Sequence, residues 1–203
     1  MIHILDIHSH KPGEGAIYNL TIEELRVPPP YFNQKQWLSV GLHPWSLTEE
    51  WRKDFLHVRK WALLSQVKAI GESGLDKIIK SPYQHEAFFA HVKLSEEVGK
   101  PLVIHCVKAV DENIKIHKLF GPKQPWIFHG FRGKPQQAKQ LLKEGFYLSF
   151  GEHFNLDSVQ ICPADKLCLE TDESCLSIKE IENRIRKVRK SESESFSKDL
   201  LFQ

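Results

Sequence analysis

The sequence predicts an α/β fold of the (β/α)8 TIM-barrel type, somewhat reduced in size, with its active site at the C-terminal ends of the strands. Two observations lead to this fold class. Eight short apolar runs of strand length recur along the chain, and most of them alternate with segments whose apolar residues have helical spacing. Strands that alternate with helices form a parallel sheet, and a count of eight favours a closed barrel over an open sheet.

The apolar runs are rich in β-branched residues, which is typical of strands that are buried on both faces. They cover residues 2–5, 16–18, 37–42, 67–70, 102–104, 126–128, 146–150 and 167–169. The segments with helical spacing, in which apolar residues return every three or four positions, cover 51–62, 88–98, 110–119, 138–142 and 179–190. Three prolines at 28–30 indicate a rigid linker between the second and third strands, where a full crossover helix has no room.

The length of the chain points to one domain. Its 203 residues are enough for one sizeable core and few for two. We therefore predict a single hydrolase domain over residues 1–190 and a polar tail over 191–203, which begins with alternating serine and glutamate. Hydrophobic residues make up 41% of the chain and charged residues 27%, as in ordinary globular domains.

Composition also indicates the cellular compartment and the partners to expect. No run of 18 apolar residues exists and the N-terminus lacks the pattern of a secretory signal, so we expect neither a membrane span nor export. Four cysteines without a Cys-x-x-Cys motif then indicate reduced thiols in a cytoplasmic protein. The net charge of +2 does not by itself indicate a nucleic-acid-binding protein, and it leaves room for local basic patches. The sequence indicates no obligate protein partner.

The end of the first strand carries a pair of histidines, His8 and His10. Because side chains alternate along a strand, both project from the same face and can bind one cation. Imidazole is the commonest protein ligand for zinc-like ions. Taken alone, the pair could equally be two surface histidines that follow a strand.

Five further strand ends carry side chains that can ligate a metal. These side chains are His43, Glu72, His105, His129 and Asp172, which follow the third, fourth, fifth, sixth and eighth strands. In an α/β barrel the C-terminal ends of all strands converge on one rim, so residues from the whole length of the chain would meet in one pocket. Their shared position predicts a metal-dependent active site.

Six short motifs give the chain a family resemblance. In order, they are Asp-x-His-x-His, Gly-Leu-His-Pro-Trp, Gly-Glu-x-Gly-Leu-Asp, Ile-His, His-Gly-Phe and Glu-Thr-Asp, and they run from Asp6 to Asp172. In this order they resemble the TatD family of metal-dependent deoxyribonucleases, which lies within the amidohydrolase-type barrels. The resemblance covers most of the chain and implies a two-metal hydrolase.

The resemblance also implies a role for each residue of the site. The histidines of the first strand would hold one ion and those of the fifth and sixth strands the other. Glu72 would bridge the two ions, Asp172 would complete the first ion and face the attacking water, and His43 would contact a substrate phosphate. The implied metal ligands are His8, His10, Glu72, His105, His129 and Asp172.

The chemistry of this ligand set agrees with that implication. Two cations about 3.5–4 Å apart can clamp the entering and leaving oxygens of a phosphodiester, and water held by such an ion ionises near neutral pH. A carboxylate such as Asp172 then suffices as the catalytic base, with Glu72 and His43 as its catalytic partners. Histidine and carboxylate ligands without thiolates suit zinc, manganese or cobalt, and suit magnesium less well.

Several residues near the same rim are candidates for binding substrate. Lys108 and Arg132 each follow a ligand histidine by three positions, and Lys134 is close by, so they could hold phosphates or could be ordinary surface charges. Trp45 could stack on a base or could only form a wall of the pocket. The basic residues of 179–190 could meet nucleic acid, or could form the exposed face of the last helix.

We therefore expect a divalent-metal-dependent hydrolase that cleaves phosphodiester bonds, with nucleic acid, above all DNA, as its substrate. Two alternatives stay open: an amidohydrolase-type enzyme that acts on a small-molecule amide or ester, and a metal-binding barrel that serves as a binding or structural module. Three loops, at 11–12, 28–30 and 173–175, depart from the family pattern. These loops shape the substrate site and contain no predicted ligand.

Overall fold

The computed structural model describes residues 5–28, 35–190 and 196, and it confirms the predicted barrel. Eight parallel strands follow one another around a closed ring, and the last strand pairs with the first to complete it. The strands are β1 (Asp6–Ser9), β2 (Ala16–Asn19), β3 (Trp37–Val40), β4 (Val67–Asp76), β5 (Leu102–Val107), β6 (Trp126–Phe128), β7 (Tyr147–Phe150) and β8 (Leu167–Leu169).

Helices follow every strand from β2 onward. They are α1 (Ile22–Arg26), α2 (Trp51–Ala62), α3 (Gln84–Val98), α4 (Val110–Phe120), α5 (Pro135–Lys143), α6 (Leu156–Ile161) and α7 (Ile178–Arg189), with 3₁₀ turns at Pro44–Ser46 and Ala164–Lys166. The barrel is reduced as expected, because residues 10–15 connect β1 to β2 without a helix, and α1 and α6 have only five and six residues.

Local chemistry fixes where these helices begin and end. Thr21 and Glu24 form a capping box at the start of α1, as Ser177 and Glu180 do for α7, so that side chains satisfy backbone N–H groups that have no partner within the helix. At the other end, α3 stops at Gly99, whose φ of +68° places it in the left-handed region that glycine adopts without cost.

Apolar side chains form two layers on either side of the barrel wall. One set comes from six different strands and from the residue before β1, and packs together inside the ring: Leu5, Ile7, Ile17, Ala69, Val103, Ile127 and Cys168. A larger set fills the space between the strands and the helices, and includes Phe88, Trp126 and Phe146, which are fully buried. The inner layer lies directly beneath the side chains of the C-terminal rim.

Several strand boundaries differ from the sequence prediction. β1 begins at Asp6, whereas the predicted run was 2–5, and β3 stops at Val40, short of the predicted residue 42. β4 continues to Asp76 and β5 to Val107, beyond the predicted ends at 70 and 104. The longer strands pair with each other as far as their last residues, so backbone hydrogen bonds extend them through polar positions that the apolar pattern excluded. Helices α1 and α6 were not predicted.

Some predictions fall on parts of the chain that are not described. Residues 2–4, Pro29 and Pro30 lie outside the described residues, as does the predicted polar tail except for Phe196. Phe196 is buried and packs beneath the guanidinium of Arg186. Among the described helices, none combines the length and the hydropathy needed to cross a membrane. All four cysteines are free thiols.

Candidate metal centre

Glu72 lies at the centre of the C-terminal rim with only 3% of its surface exposed. Its Oε1 is 2.6 Å from Nδ1 of His105 and 2.7 Å from Nε2 of His129. Its Oε2 faces the opposite side, 3.4 Å from Nε2 of His8 and 3.8 Å from Nε2 of His10. The two oxygens of one carboxylate therefore face two different pairs of histidines.

Asp172 closes the side that carries His8 and His10. Its Oδ1 lies 3.8 Å from Nε2 of His8 and 3.5 Å from Nε2 of His10. The backbone fixes this arrangement, because the Asp172 N–H donates to the His8 carbonyl at 2.9 Å and the His10 N–H donates to the Asp172 carbonyl at 3.1 Å. One ligand atom from each of the three residues falls within 4.8 Å of the others, which is close enough to share an ion.

His43 joins the other side of the centre. Its Nε2 lies 3.1 Å from Nδ1 of His105 and 3.4 Å from Oε1 of Glu72. Its Nδ1 accepts a hydrogen bond from the backbone N–H of Trp45, so the neutral ring carries its proton on Nε2 and presents a donor to the site. The structure thus places the ring of His43 in direct contact with two of the predicted ligands, His105 and Glu72.

Two carboxylates stand behind the histidines of β5 and β6. Asp76 Oδ2 lies 3.3 Å from Nε2 of His105, and Glu170 Oε1 lies 3.6 Å from Nδ1 of His129. Each histidine thereby turns one ring nitrogen to Glu72 and the other to a buried carboxylate. Metal-binding histidines in proteins have this arrangement, since the outer carboxylate fixes the ring and strengthens the inner nitrogen as a ligand.

Irregularities in the sheet occur where the ligands project. The register of β1 shifts within residues 6–9, the interval that contains His8, and the register of β4 shifts within 70–73, the interval that contains Glu72. Such irregularities re-aim side chains and are common beside active sites. Asn19 supports the second one, because its Oδ1 accepts hydrogen bonds from the backbone N–H of Glu72 at 2.8 Å and from the hydroxyl of Ser39 at 2.9 Å.

Sequence reasoning missed the supporting roles of Asn19, Asp76 and Asp6. Asp6 accepts hydrogen bonds from the backbone and the hydroxyl of Thr171, and so holds the end of β8 against β1; burial, opposed by these bonds, raises the pKa of Asp6 to about 6. A signal was present for each residue. All three are polar residues in or directly beside buried strands, where a polar side chain needs a partner.

The ionisable side chains at the centre shift one another's pKa values. Burial acts to raise the pKa of Glu72, but the charge of His129 and hydrogen bonds from the surrounding histidines hold it well below its usual range. Burial acts to lower the pKa of His129, but Glu72 and Glu170 raise it well above its usual range. Burial, aided by the charge of His8, lowers the pKa of His10. The buried carboxylates therefore need positive charge, which a divalent cation can supply.

His8 provides the clearest test of whether this site fits a metal. Its side chain is fully buried, and neither ring nitrogen has a hydrogen-bond partner within the described part of the chain. A buried polar atom left unpaired costs about 1–3 kcal/mol. The Nε2 of His8 points toward the carboxylates of Glu72 and Asp172, where a cation would satisfy all three groups. The donor set of imidazoles and carboxylates fits zinc, manganese or cobalt.

The predicted phosphate-binding residues lie on rim loops. Lys108 directly follows β5 and Arg132 lies between β6 and α5, both with exposed side chains. Neither side chain has an ion-pair partner among residues 5–28, 35–190 and 196. Lys134, also exposed, is the residue directly before α5, and its side chain makes no capping hydrogen bond. These cations are free to meet an anionic ligand.

The basic residues of α7 are partly used within the fold. Arg186 pairs with Glu182 one turn away, and Arg189 donates to the carbonyls of Val159 and Cys162 at 2.6 Å. The pair of Arg186 with Glu182 lies within α7, whereas Arg189 joins α7 to the end of α6. These contacts favour the interpretation of the basic run as a face of the last helix.

Comparison with known proteins agrees with this site. A model of the family described as TatD related DNase matches residues 27–191. An uncharacterized metal-dependent hydrolase of Buchnera aphidicola is 31% identical over 156 residues, which cover 71% of this chain and 58% of the relative. The 3'-5' ssDNA/RNA exonuclease TatD of Erwinia tasmaniensis is 31% identical over 149 residues, which cover 67% of this chain and 57% of the relative. The chain thus spans a little under three fifths of the length of these curated relatives.

Among solved structures, the barrel is similar to YjjV, a TatD homolog from Escherichia coli. The TM-score is 0.76 at 19% sequence identity, and the match covers 94% of this chain and 92% of that one. At this identity the similarity establishes the fold, which is the same eight-stranded barrel.

Proposed function

This chain belongs to the family of TatD-related DNases, and we propose that it is a two-metal hydrolase that cleaves phosphodiester bonds in nucleic acid, above all in DNA. One observation carries the proposal: the two oxygens of Glu72 face separate pairs of histidines, each pair within 4 Å of the carboxylate. A carboxylate in that position can bind two cations at once, and a single structural ion would not need both pairs.

The proposed ligands divide into two groups around Glu72. His8, His10 and Asp172 would hold the first ion, and His105 and His129 the second. Two divalent ions of this kind supply Lewis acidity toward the phosphate and make water acidic near neutral pH. Asp76 and Glu170, behind the second pair, keep those imidazoles in the orientation that ligation needs.

Two side chains would act at the reacting phosphate. Asp172 is the only one of the proposed ligand carboxylates that is partly exposed, so its carboxylate can orient an attacking water and accept its proton. His43 keeps a proton on Nε2, so it can donate a hydrogen bond to a phosphate oxygen at the centre. Lys108 and Arg132 would hold neighbouring phosphates of the strand by charge.

The cysteines bear on the redox environment in which the protein works. We propose a reducing, cytoplasmic environment, which the four free cysteines support. Burial raises the pKa of Cys106, beside His105, to about 11, so this thiol stays protonated and is a poor metal ligand.

A screen of divalent metals tests the proposed activity. The protein, stripped with a chelator and reloaded with zinc, manganese, cobalt or magnesium, is assayed against single-stranded DNA, RNA, a small phosphodiester, and small amides and esters. We expect metal-dependent cleavage of DNA, and its loss in His8→Ala. Turnover of the amides or esters alone would favour the amidohydrolase-type alternative, and metal binding without any turnover would favour a binding module.

A further inference from the structure

Trp45 lies beside the proposed metal centre on the rim of the barrel. It belongs to the 3₁₀ turn Pro44–Ser46, which follows β3 after a short link. Its ring centre is 5.0 Å from that of His43 and 6.3 Å from that of His105, with both pairs close to perpendicular. Whatever binds next to these two histidines also comes within reach of the indole.

The indole is held firmly in place. Its Nε1–H donates to Oδ2 of Asp76 at 2.8 Å, and its backbone N–H donates to Nδ1 of His43 at 3.1 Å. The same Asp76 oxygen faces Nε2 of His105, so one buried carboxylate positions both rings. These hydrogen bonds satisfy the only polar atom of the side chain, and an aromatic ring that is already ordered loses little entropy when a ligand binds.

Exposure separates this tryptophan from the tryptophans of the core. Trp45 is 68% exposed, whereas Trp51, Trp61 and Trp126 are between 1% and 9% exposed. Its exposure leaves the indole ring accessible to a ligand at the rim. Ile78, also exposed, is tied by its backbone N–H to the other oxygen of Asp76, and adds a second apolar side chain to this part of the rim.

We propose that Trp45 is a stacking platform for a nucleobase of the strand whose phosphate lies at the metal centre. This assignment rests on the proposed function, which places a phosphate of the strand at the metal centre. It adds that the base next to that phosphate stacks on the indole. A rigid apolar ring with its N–H already bonded offers a π-face and no free hydrogen-bonding group. Such a platform binds every base and reads none of them, so the site accepts strands without regard to sequence.

Equilibrium binding tests the platform without relying on catalysis. Fluorescence anisotropy, on the manganese-loaded protein, compares oligothymidylate with a strand of equal length whose residues lack bases. Both strands carry the same dye and phosphorothioate linkages that resist hydrolysis. The wild type should bind the strand with bases more tightly by on the order of 10- to 100-fold, the range expected for one stacking contact. Trp45→Ala should remove most of this preference, and Trp45→Phe, which keeps an aromatic ring, should retain most of it.

Trp37→Ala is the matched control. Trp37 is a partly exposed tryptophan at the first residue of β3, the end of the barrel opposite the active rim, so its loss should leave the preference intact. An equal preference in wild type and Trp45→Ala would overturn the proposal, as would a wild type that binds neither strand or both equally. A base preference that depends on Trp45, in a protein that cleaves no strand, would support the platform and count against the nuclease function.

Discussion

Replacing Glu72 by glutamine keeps the shape of the side chain and removes the charge that faces both pairs of histidines. Oε1 of Glu72 lies 2.6 Å from His105 and 2.7 Å from His129, and the side chain is almost fully buried. Removing one partner of such a buried charged cluster costs about 3–5 kcal/mol, because the charge of His129 then loses its closer counter-ion and keeps only Glu170, 3.6 Å away. In a domain of this size each kcal/mol lowers Tm by roughly 2–4 °C.

We therefore expect Glu72→Gln, in the presence of a chelator, to unfold at a Tm roughly 6–20 °C below wild type. After reloading, it should hold fewer than two ions per chain and lose nearly all hydrolysis. Differential scanning calorimetry measures the first effect, and metal analysis by mass spectrometry with a turnover assay measures the second.

Asp54→Asn is the matched control for this variant. Asp54 is also a buried carboxylate, but it pairs with Arg26 at 2.7 Å between α1 and α2, outside the barrel. The control should lose some stability and keep both ions. Full two-ion occupancy with normal turnover in Glu72→Gln would refute the bridging role.

Three further predictions concern other parts of the molecule. The double change Lys108→Ala and Arg132→Ala should flatten the salt dependence of DNA binding, by roughly 0.7 in log–log slope per lost phosphate contact, without changing metal content; an unchanged slope would make both residues ordinary surface charges. Burial lowers the pKa of His91 to about 4, so the unfolded chain takes up its proton near pH 6.5 while the folded one does not. Stability should fall as the pH drops from 6.5 to 4, by up to about 3 kcal/mol from this residue, and His91→Gln should show a shallower fall in urea denaturation; equal slopes would count against it. A Cβ at Gly74 would lie 1.9 Å from the carbonyl oxygen of His105, so Gly74→Ala should force β4 and β5 apart, cost about 1–3 kcal/mol or more and lower metal content; a normal Tm with two ions would contradict this.

Sequence alone predicted the barrel because its signal is repeated eight times. Apolar runs and helical spacing are local patterns, and an error in the bounds of one strand leaves the number of predicted strands unchanged. The boundaries were harder, because the extent of a strand depends on its neighbour: β4 reaches Asp76 by pairing with β5, whose residues lie about thirty positions later. Helix α1 was missed although Thr21 and Glu24 form a capping box, since five residues are too few to show a helical period.

For the candidate site, the sequence indicated the metal-ligating side chains but not the residues that support them. Histidines and carboxylates after apolar runs stand out in a sequence, and the structure brings all of the predicted ligands together around Glu72. Their supports could not be read in the same way, because a partner such as Thr171 lies 165 positions from Asp6 and only the closed ring brings them into contact. The contact between His43 and His105 likewise depends on the closure of the sheet.

Anomalous diffraction from crystals soaked in manganese tests the two-metal centre most directly. We predict two peaks about 3.5–4 Å apart, one on each side of the Glu72 carboxylate. The first should lie within bonding distance of His8, His10 and Asp172, and the second within bonding distance of His105 and His129. A single peak, or peaks that do not share Glu72, would contradict the proposed centre.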